Sequence, residues 1–250
     1  MKLSIIIAVL NSHEIVRRQI LHFEKMDIPD SVEILFIDDG SIPPIASNTK
    51  LKNFFIYATN DFRPWTIELA RNFGIKKARG EYILITDMDY IIPRETILDA
   101  LTLQEDKSSI RREFGVLDEN GNFTQDLNVL RQWGLTEDRI RSRGVRMTPH
   151  PNNFIMRRSV FDIVGYFDES RVNRPYPIGA DAEFKRRWTQ FHDKGLVTLR
   201  DNTLRPMIYM FPNGQYCGDV DYNPFGLFHT LTRKTEYNME LQRLRDQQRR

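Results

Sequence analysis

Glu81-Tyr82-Ile83-Leu84-Ile85-Thr86-Asp87-Met88-Asp89 is an apolar run that delivers two carboxylates at its carboxyl end. In open α/β sheets that end of a strand is where ligands bind. Alternate carboxylates at a strand exit suit a hard divalent cation, and such a cation suits a diphosphate. Alone the pattern says little: with 20 Asp in 250 residues, chance gives about 1.6 Asp-x-Asp matches, and there are two, at Asp87/Asp89 and Asp219/Asp221. The surroundings of the first match therefore decide its meaning.

Upstream, apolar runs alternate with helical periodicity through the first hundred residues, the signature of βαβ units and a mainly parallel sheet. Leu3 to Val9 reads as strand one. Asn11 is placed to cap the next helix with Glu14 reaching back, and Val16, Ile20 and Phe23 recur as a buried stripe. Val32 to Ile37 reads as strand two and runs into the acceptor-rich turn Asp38-Asp39-Gly40-Ser41. A short strand at Phe54 to Tyr57 precedes a helix from about Trp65 to Arg79, which Gly80 is placed to terminate. Strands two and four are apolar on successive residues, as expected of a sheet covered on both faces.

Downstream, Pro93 suits the first turn of a helix running to about Gln104. Gly115 to Pro151 shows no clear period and reads either as an insertion with short elements or as a mobile loop. Asn153 to Arg157 reads as a strand, Ser159 to Val164 as a short helix and Gly165 to Glu169 as a turn. Asp181 opens a helix with Phe184, Trp188 and Phe191 on its inner face and Gly195 at its end; Leu196 to Leu199 and Leu204 to Phe211 follow as strands. Thr232 to Arg250 reads as a polar helical tail.

Composition narrows the class. Hydrophobic content of 40% with 28% charged residues is that of a globular chain. The run from Met1 to Leu10 ends too early at Asn11 for a signal peptide. The single cysteine, Cys217, excludes an internal disulfide framework and points to the cytoplasm. A net charge of +2 predicts no nucleic-acid partner. Two local arginine groups, Arg139/Arg141/Arg143/Arg146 and Arg243/Arg245/Arg249/Arg250, read as a solvated face and a loose tail, or as contacts to a phosphate and to an anionic membrane surface. No Gly-x-Gly-x-x-Gly follows a strand and no Walker-type Gly-Lys-Ser/Thr occurs, which argues against a dinucleotide oxidoreductase and a P-loop enzyme.

Taken together, Ser4 to Asn11, Phe36-Ile37-Asp38-Asp39-Gly40-Ser41, Ala70-Arg71-Asn72-Phe73-Gly74-Ile75 with Ala78 to Tyr82, Asp87-Met88-Asp89, Gly165 to Glu169 and Gly179 to Phe184 resemble, in order, the segments of the family 2 inverting glycosyltransferases of the GT-A type. The resemblance spans roughly the first 190 residues. It implies an α/β fold, GT-A-like (Rossmann-like), with a mainly parallel sheet flanked by helices and a smaller carboxyl-terminal acceptor-side portion. One domain over 1–250 would divide into a nucleotide-sugar-binding half at 1–107, an acceptor-side half at 108–231 and a basic tail at 232–250. The resemblance places nucleotide contacts at Ala8, Leu10, Asp38, Asp39, Arg71, Asp87 and Met88, with Ala8 and Leu10 standing where the family has proline and tyrosine. Asp89 is the expected direct metal ligand, Asp87 reaches the ribose or a metal-bound water, and His229 in Asn223 to His229 closes the shell. Mixed oxygen and imidazole ligation leans toward Mn²⁺ over Mg²⁺. Asp181 maps to the family's general base, although Ala180 stands where that motif carries a glutamate.

The implied reaction moves a sugar from a nucleoside diphosphate, with uridine the expected base, to a hydroxyl of a glycan or lipid-linked acceptor. Asp181 would take the proton of the attacking hydroxyl. Singly, each residue has a plainer role: Asp38 and Asp39 as a turn, Arg71 as a surface helix residue, Asp181 as a helix cap. Trp133, Tyr166 and Trp188 are candidates for stacking on sugar faces, with core packing the stronger reading of Trp188, and His13, His22, His150 and His192 read as structural or surface residues. Two rivals remain, a nucleotide-sugar binder without turnover, suggested by Ala180, and a sugar-phosphate nucleotidyltransferase.

Overall fold

The computed structural model describes residues 1–61, 63, 66–171, 180–200 and 206–212, without the side chains of residues 171, 180 and 181. In chain order, β1 (Leu3–Val9), α1 (His13–Glu24), β2 (Val32–Asp38), β3 (Phe54–Ala58), α2 (Ile67–Lys77) and β4 (Tyr82–Asp87) build the first half. Then come β5 (Tyr90–Ile91), α3 (Arg94–Ala100), β6 (Lys107–Ser109), β7 (Arg111–Phe114), β8 (Val116–Leu117), β9 (Phe123–Thr124), α4 (Leu127–Gln132), α5 (Glu137–Arg143) and β10 (Arg146–Met147). The remaining elements are β11 (Phe154–Arg157), α6 (Val160–Val164), a 3₁₀ turn at Glu169–Arg171, α7 (Ala180–Asp193) and β12 (Met207–Met210).

The main sheet has the order β3-β2-β1-β4-β11-β6. Its first four strands are parallel, and β11 runs antiparallel to both β4 and β6. Every residue of β1 and β2 is buried, which requires cover on both faces. On one face Leu3, Ile5 and Ile7 meet Val16, Ile20 and Phe23 of α1 and Ile97 of α3. On the other, Ile6, Ile83 and Ile85 meet Ala70 and Ile75 of α2, Phe161 of α6 and Phe184 and Trp188 of α7. The two-residue period of the strands thus sorts one apolar run into two cores.

Several local expectations are corrected. α1 is entered through Ser12, without a side-chain cap, and Glu14 pairs with Arg17 and Arg18 instead of reaching back. Asn11 turns the other way. α2 stops at Lys77 and Ala78 is already extended, so Gly80 is not its terminator. Gly80 lies against β1: its N–H donates to Ser4 Oγ at 2.8 Å, and a Cβ there would stand 2.5 Å from the Ser4 nitrogen. α3 ends at Ala100 rather than near Gln104, because Thr102 and Leu103 bond back over three residues to Asp99 and Ala100. Leu196 to Leu199 forms no strand; Leu199 makes a single bridge to Lys107.

The unreadable region carries short elements of its own. A second sheet, β10-β7-β12-β5, lies beside a β8–β9 hairpin. Phe114, Leu117, Leu130, Trp133, Leu135 and Phe211 form a third core beneath it. Trp133 is 5% exposed with its ring 5.1 Å from that of Phe211, so it packs inside and offers no face to a sugar. Arg139 donates to the carbonyls of Gly144 and Arg146 and lies over the Phe114 ring, while Arg141, Arg143 and Arg146 are exposed, so the rest of this arginine group is a solvated face. Among the described residues no helix is long and apolar enough to cross a membrane.

Candidate functional site

The site follows from register. At the carboxyl edge of the sheet Ala8 pairs with Asp87 on one side, while Val9 pairs with Asp38 on the other. Two strand spacings separate the two aspartates, about 10 Å of backbone. Ile34 and Phe36 belong to the α1 face and Ile83 and Ile85 to the α2 face. By the same alternation Asp38 faces α1 and Asp87 faces α2.

Asp38 builds the turn that follows it. Its Oδ1 accepts from the Ser41 N–H and its Oδ2 from the Ile45 N–H, both at 2.8 Å. Ser41 Oγ in turn accepts from the Asn11 N–H at 2.8 Å, and Asn11 Oδ1 accepts from the Ile42 N–H at 2.8 Å. Asn11 has φ 47, a left-handed conformation that asparagine tolerates better than most residues. The loops after β1 and β2 are therefore laced into one rim. Asp39 lies in that rim, buried, with its N–H donating to the Val9 carbonyl at 2.8 Å. Ala8 and Leu10 are buried beneath it.

The acidic turn is held from several elements. Arg71 of α2, 2% exposed, donates from Nη2 to Asp87 Oδ1 at 2.5 Å. Its guanidinium also lies 5.4 Å over the Phe167 ring. Its neighbour Asn72 donates to the Phe167 carbonyl and to Glu169 Oε1 and accepts from the Phe167 N–H, at 2.9, 2.8 and 3.0 Å. Helix α2 thus grips both the acidic turn and the Gly165 to Glu169 turn. From α1, the buried amide of Gln19 donates to the Met88 and Tyr90 carbonyls. From beyond β12, the Phe211 N–H donates to the Asp89 carbonyl at 3.0 Å. Arg112 of β7 donates to the Tyr90 hydroxyl.

Asp181 lies in the first turn of α7, with its side chain outside the described residues. Phe184, three residues on, stacks on Phe167 at 4.4 Å and on Phe154 at 5.5 Å. A continuous line of contact therefore runs Asp87–Arg71–Phe167–Phe184. Tyr166 turns aside, its hydroxyl donating to Asp162 and its ring under Lys76. Trp188 is a core residue with Lys107 at 4.1 Å over its ring. The histidines are used locally: His13 and His192 meet the carbonyls of Pro43 and Val197, and His150 Nδ1 accepts from the Asn152 N–H. His22 is packed against the Ile92 carbonyl, and burial holds its pKa below 6.5, with backbone bonds to Ile92 and Gly121 opposing. His229, Asp219, Asp221, Cys217 and the tail from Thr232 lie outside the described residues.

Among the described residues no three His, Cys, Asp or Glu converge on one point. Asp87 and Asp89, both half-buried at the sheet edge, nonetheless fit a hard divalent cation that takes its other ligands from phosphate oxygens and water.

Sequence reasoning missed Gln19, Asn72 and the Asn11–Ser41 link. The signal for the first was present: Gln19 shares the buried side of α1 with Ile15, Val16, Ile20 and Phe23, and a polar residue in such a row needs a partner.

A family model described as glycosyl transferase family 2 matches residues 4–165, more than half of the chain. The chain belongs to glycosyl transferase family 2. Solved structures agree in fold. The structure of S. aureus TarS 1-349 in complex with UDP aligns over 86% of this family 2 chain and 62% of that one, at 19% identity and TM-score 0.54. S. aureus TarS aligns over 86% and 38% at 18% identity and TM-score 0.51. The mannosyltransferase PcManGT from Pyrobaculum calidifontis in complex with GDP-Man and Mn²⁺ aligns over 86% and 58% at 17% identity and TM-score 0.52. The family 2 chain thus spans less than two thirds of each of these relatives and shares their GT-A-type architecture. A comparison with curated proteins finds no match.

Proposed function

We propose that this chain is a metal-dependent inverting glycosyltransferase that moves a sugar from a nucleoside diphosphate, with uridine as the base, to an acceptor hydroxyl. The observation that supports the reading is the contact line Asp87–Arg71–Phe167–Phe184, which ties α7, the helix that carries Asp181, to the acidic strand end through α2. UDP is bound by TarS 1-349 and GDP-Man with Mn²⁺ by PcManGT, which supports a nucleotide-sugar donor here.

In this reading the donor base lies in the rim of Asp39 and the loop after β1, over Ala8 and Leu10. Asp38, with its oxygens accepting from the Ser41 and Ile45 N–H groups, shapes the rim, and Asp39 beside it is assigned to accept from the base. Asp89 and Asp87 would hold the cation, joined by His229, and Met88 would lie between the two aspartates against the donor. A bound Mn²⁺ or Mg²⁺ supplies Lewis-acid stabilisation of the charge that builds on the departing diphosphate. Arg71 holds Asp87 in place through a charge-assisted bond. Asp181 accepts the proton as the acceptor oxygen bonds to the anomeric carbon and the carbon to phosphate-oxygen bond breaks, giving inversion in one displacement. Its position in the first turn of a helix favours the ionised carboxylate that a base requires.

The acceptor is proposed to be a glycan or lipid-linked hydroxyl, received by the half at 108–231 after the nucleotide half at 1–107. The basic tail at 232–250 would rest on an anionic membrane from the cytoplasmic side. The test is a panel of nucleotide sugars assayed for diphosphate release with Mn²⁺ and Mg²⁺, alongside Asp181→Asn. The variant is expected to bind UDP like the parent and to lose transfer; full transfer by Asp181→Asn removes the base assignment. Ala180 keeps one alternative in view, a binder without turnover, which would retain UDP affinity and release no diphosphate from any donor.

A further inference from the structure

We infer that Gln19 of α1 is a positioning residue for the acidic turn, holding the peptide frame that aims Asp89 at the donor-bound cation. The inference rests on the reading that Asp87 and Asp89 hold that cation. Gln19 is 2% exposed and belongs to the buried side of an amphipathic helix, where an apolar residue would pack without any hydrogen-bonding demand. Its Nε2 donates instead to two carbonyls, that of Met88 and, at 3.1 Å, that of Tyr90. Both partners are acceptors only, so it is the amide nitrogen that faces them. The opposite end of the amide, Oε1, is buried and accepts no hydrogen bond among the described residues.

The two carbonyls bracket Asp89. The Met88 carbonyl belongs to the peptide that enters Asp89, and the Tyr90 carbonyl lies one residue past it. The Asp89 carbonyl between them is taken by the Phe211 N–H at 3.0 Å. Three successive carbonyls are thus anchored, two of them by one side chain, and the short segment between β4 and β5 has little freedom to rotate. α1 also begins just after Asn11, which is bonded into the Asp38–Ser41 rim. Gln19 consequently connects the loop proposed to take the nucleoside with the turn proposed to take the diphosphate, through one rigid helix. Groups that orient metal ligands without touching the metal are worth about 10–100-fold in metal affinity.

The experiment measures UDP affinity by calorimetry, with and without Mn²⁺, in the parent protein, Gln19→Met, Gln19→Glu and Asp89→Ala. Met keeps the length and fills the space; Glu keeps the shape and sets an oxygen against each carbonyl. The expected result is metal-free UDP affinity within about twofold of the parent in both Gln19 variants, with about tenfold loss of the Mn²⁺ enhancement. A residue that only stabilises the fold would lower the melting temperature and leave that enhancement alone. A folded Gln19→Met with the parent's full Mn²⁺ enhancement overturns the inference while leaving the function intact. A parent protein whose UDP affinity ignores Mn²⁺, and is unchanged in Asp89→Ala, overturns both. A second measurement needs no variant: in ¹⁵N-labelled parent protein, the Gln19 side-chain amide resonances should move on adding Mg²⁺ with UDP and not with UDP alone. Resonances that ignore the metal, where the backbone of Met88 to Tyr90 responds, overturn the inference as well.

Discussion

Replacing Arg71 by Met tests whether the acidic strand end is held by α2. Methionine keeps an unbranched stem that still covers Phe167, and it removes the guanidinium. The contributions lost include the charge-assisted bond to Asp87 Oδ1 at 2.5 Å, worth about 1.5–3 kcal/mol, and the cation over Phe167 at 5.4 Å, worth up to about 2 kcal/mol in a dry site. Breaking a buried pair typically costs about 3–5 kcal/mol because the surviving charge is stranded. Asp87 is a quarter exposed, so water reaches the carboxylate, and methionine needs no desolvation of a charge. The net loss is therefore expected at the lower end, about 2–3 kcal/mol, or a fall of about 4–12 °C in Tm for a chain of this size. The informative assay is a double-mutant cycle by urea unfolding with Asp87→Asn, in which the pair should show coupling of about 1.5 kcal/mol or more. Coupling below about 0.5 kcal/mol, with both single variants folded, would refute the idea that Arg71 acts through Asp87. In the same proteins UDP affinity in Mn²⁺ should fall for Arg71→Met and for the double variant by similar factors.

Two further outcomes follow from the same geometry. Asn72→Ala removes three bonds to the Gly165 to Glu169 turn; about 2–4 kcal/mol of stability should go with them, read by urea unfolding, and diphosphate release should drop because that turn seats Phe184 and α7. Lowering the pH should destabilise the protein through His22. Its folded pKa is depressed by burial, so the stability contribution is fully present above 6.5 and is lost as pH falls from there toward the depressed value. Thermal melts between pH 7.5 and 5.5 should show the parent losing Tm with a slope that His22→Gln reduces; an unchanged slope would assign the loss to other groups.

How much of this was legible depended on whether the deciding interactions were local. β1 at Leu3–Val9 was readable because a strand buried on both faces needs an unbroken apolar run, and the end of β4 at Asp87 because a carboxylate ends that run. Helix ends read less well. Gly80 has the composition of a helix terminator, yet its place is set by the close approach of Ser4, a residue far away in sequence. Residues 115–151 resisted reading because α4, α5, β8, β9 and β10 are each seven residues or fewer, too short to display a period. Their core is completed by Phe211, which no local pattern could announce. Trp133 illustrates the consequence, since an indole in an unassigned loop invites a ligand until Phe211 is seen against it. In the site the aspartates stood out by type, while of the residues that hold their turn Gln19 was marked only as a polar member of a buried row and Asn72 looked like an ordinary helix polar. Their meaning lies in carbonyls and amides of distant turns, which carry no sequence signature.

That division of labour explains why the acidic turn can be both short and well defined. Two carboxylates following a strand would sample several directions if only their own backbone held them, and each would lose conformational freedom on binding a cation. Here the order is established in advance: Asp87 by Arg71 from α2, the carbonyls of Met88 and Tyr90 by Gln19 from α1, the Asp89 carbonyl by Phe211, and the Tyr90 hydroxyl by Arg112 from the second sheet. Each restraint comes from a different element, so no single loop movement releases the turn, and the ordering cost is met during folding instead of at binding. The same arrangement ties the second sheet to the acidic turn, because β7 and the residue after β12 supply two of the restraints. A change in the region of residues 108–147 that displaces β7 should therefore weaken donor binding without touching the donor, and its effect should be non-additive with Gln19→Met because both act on Tyr90.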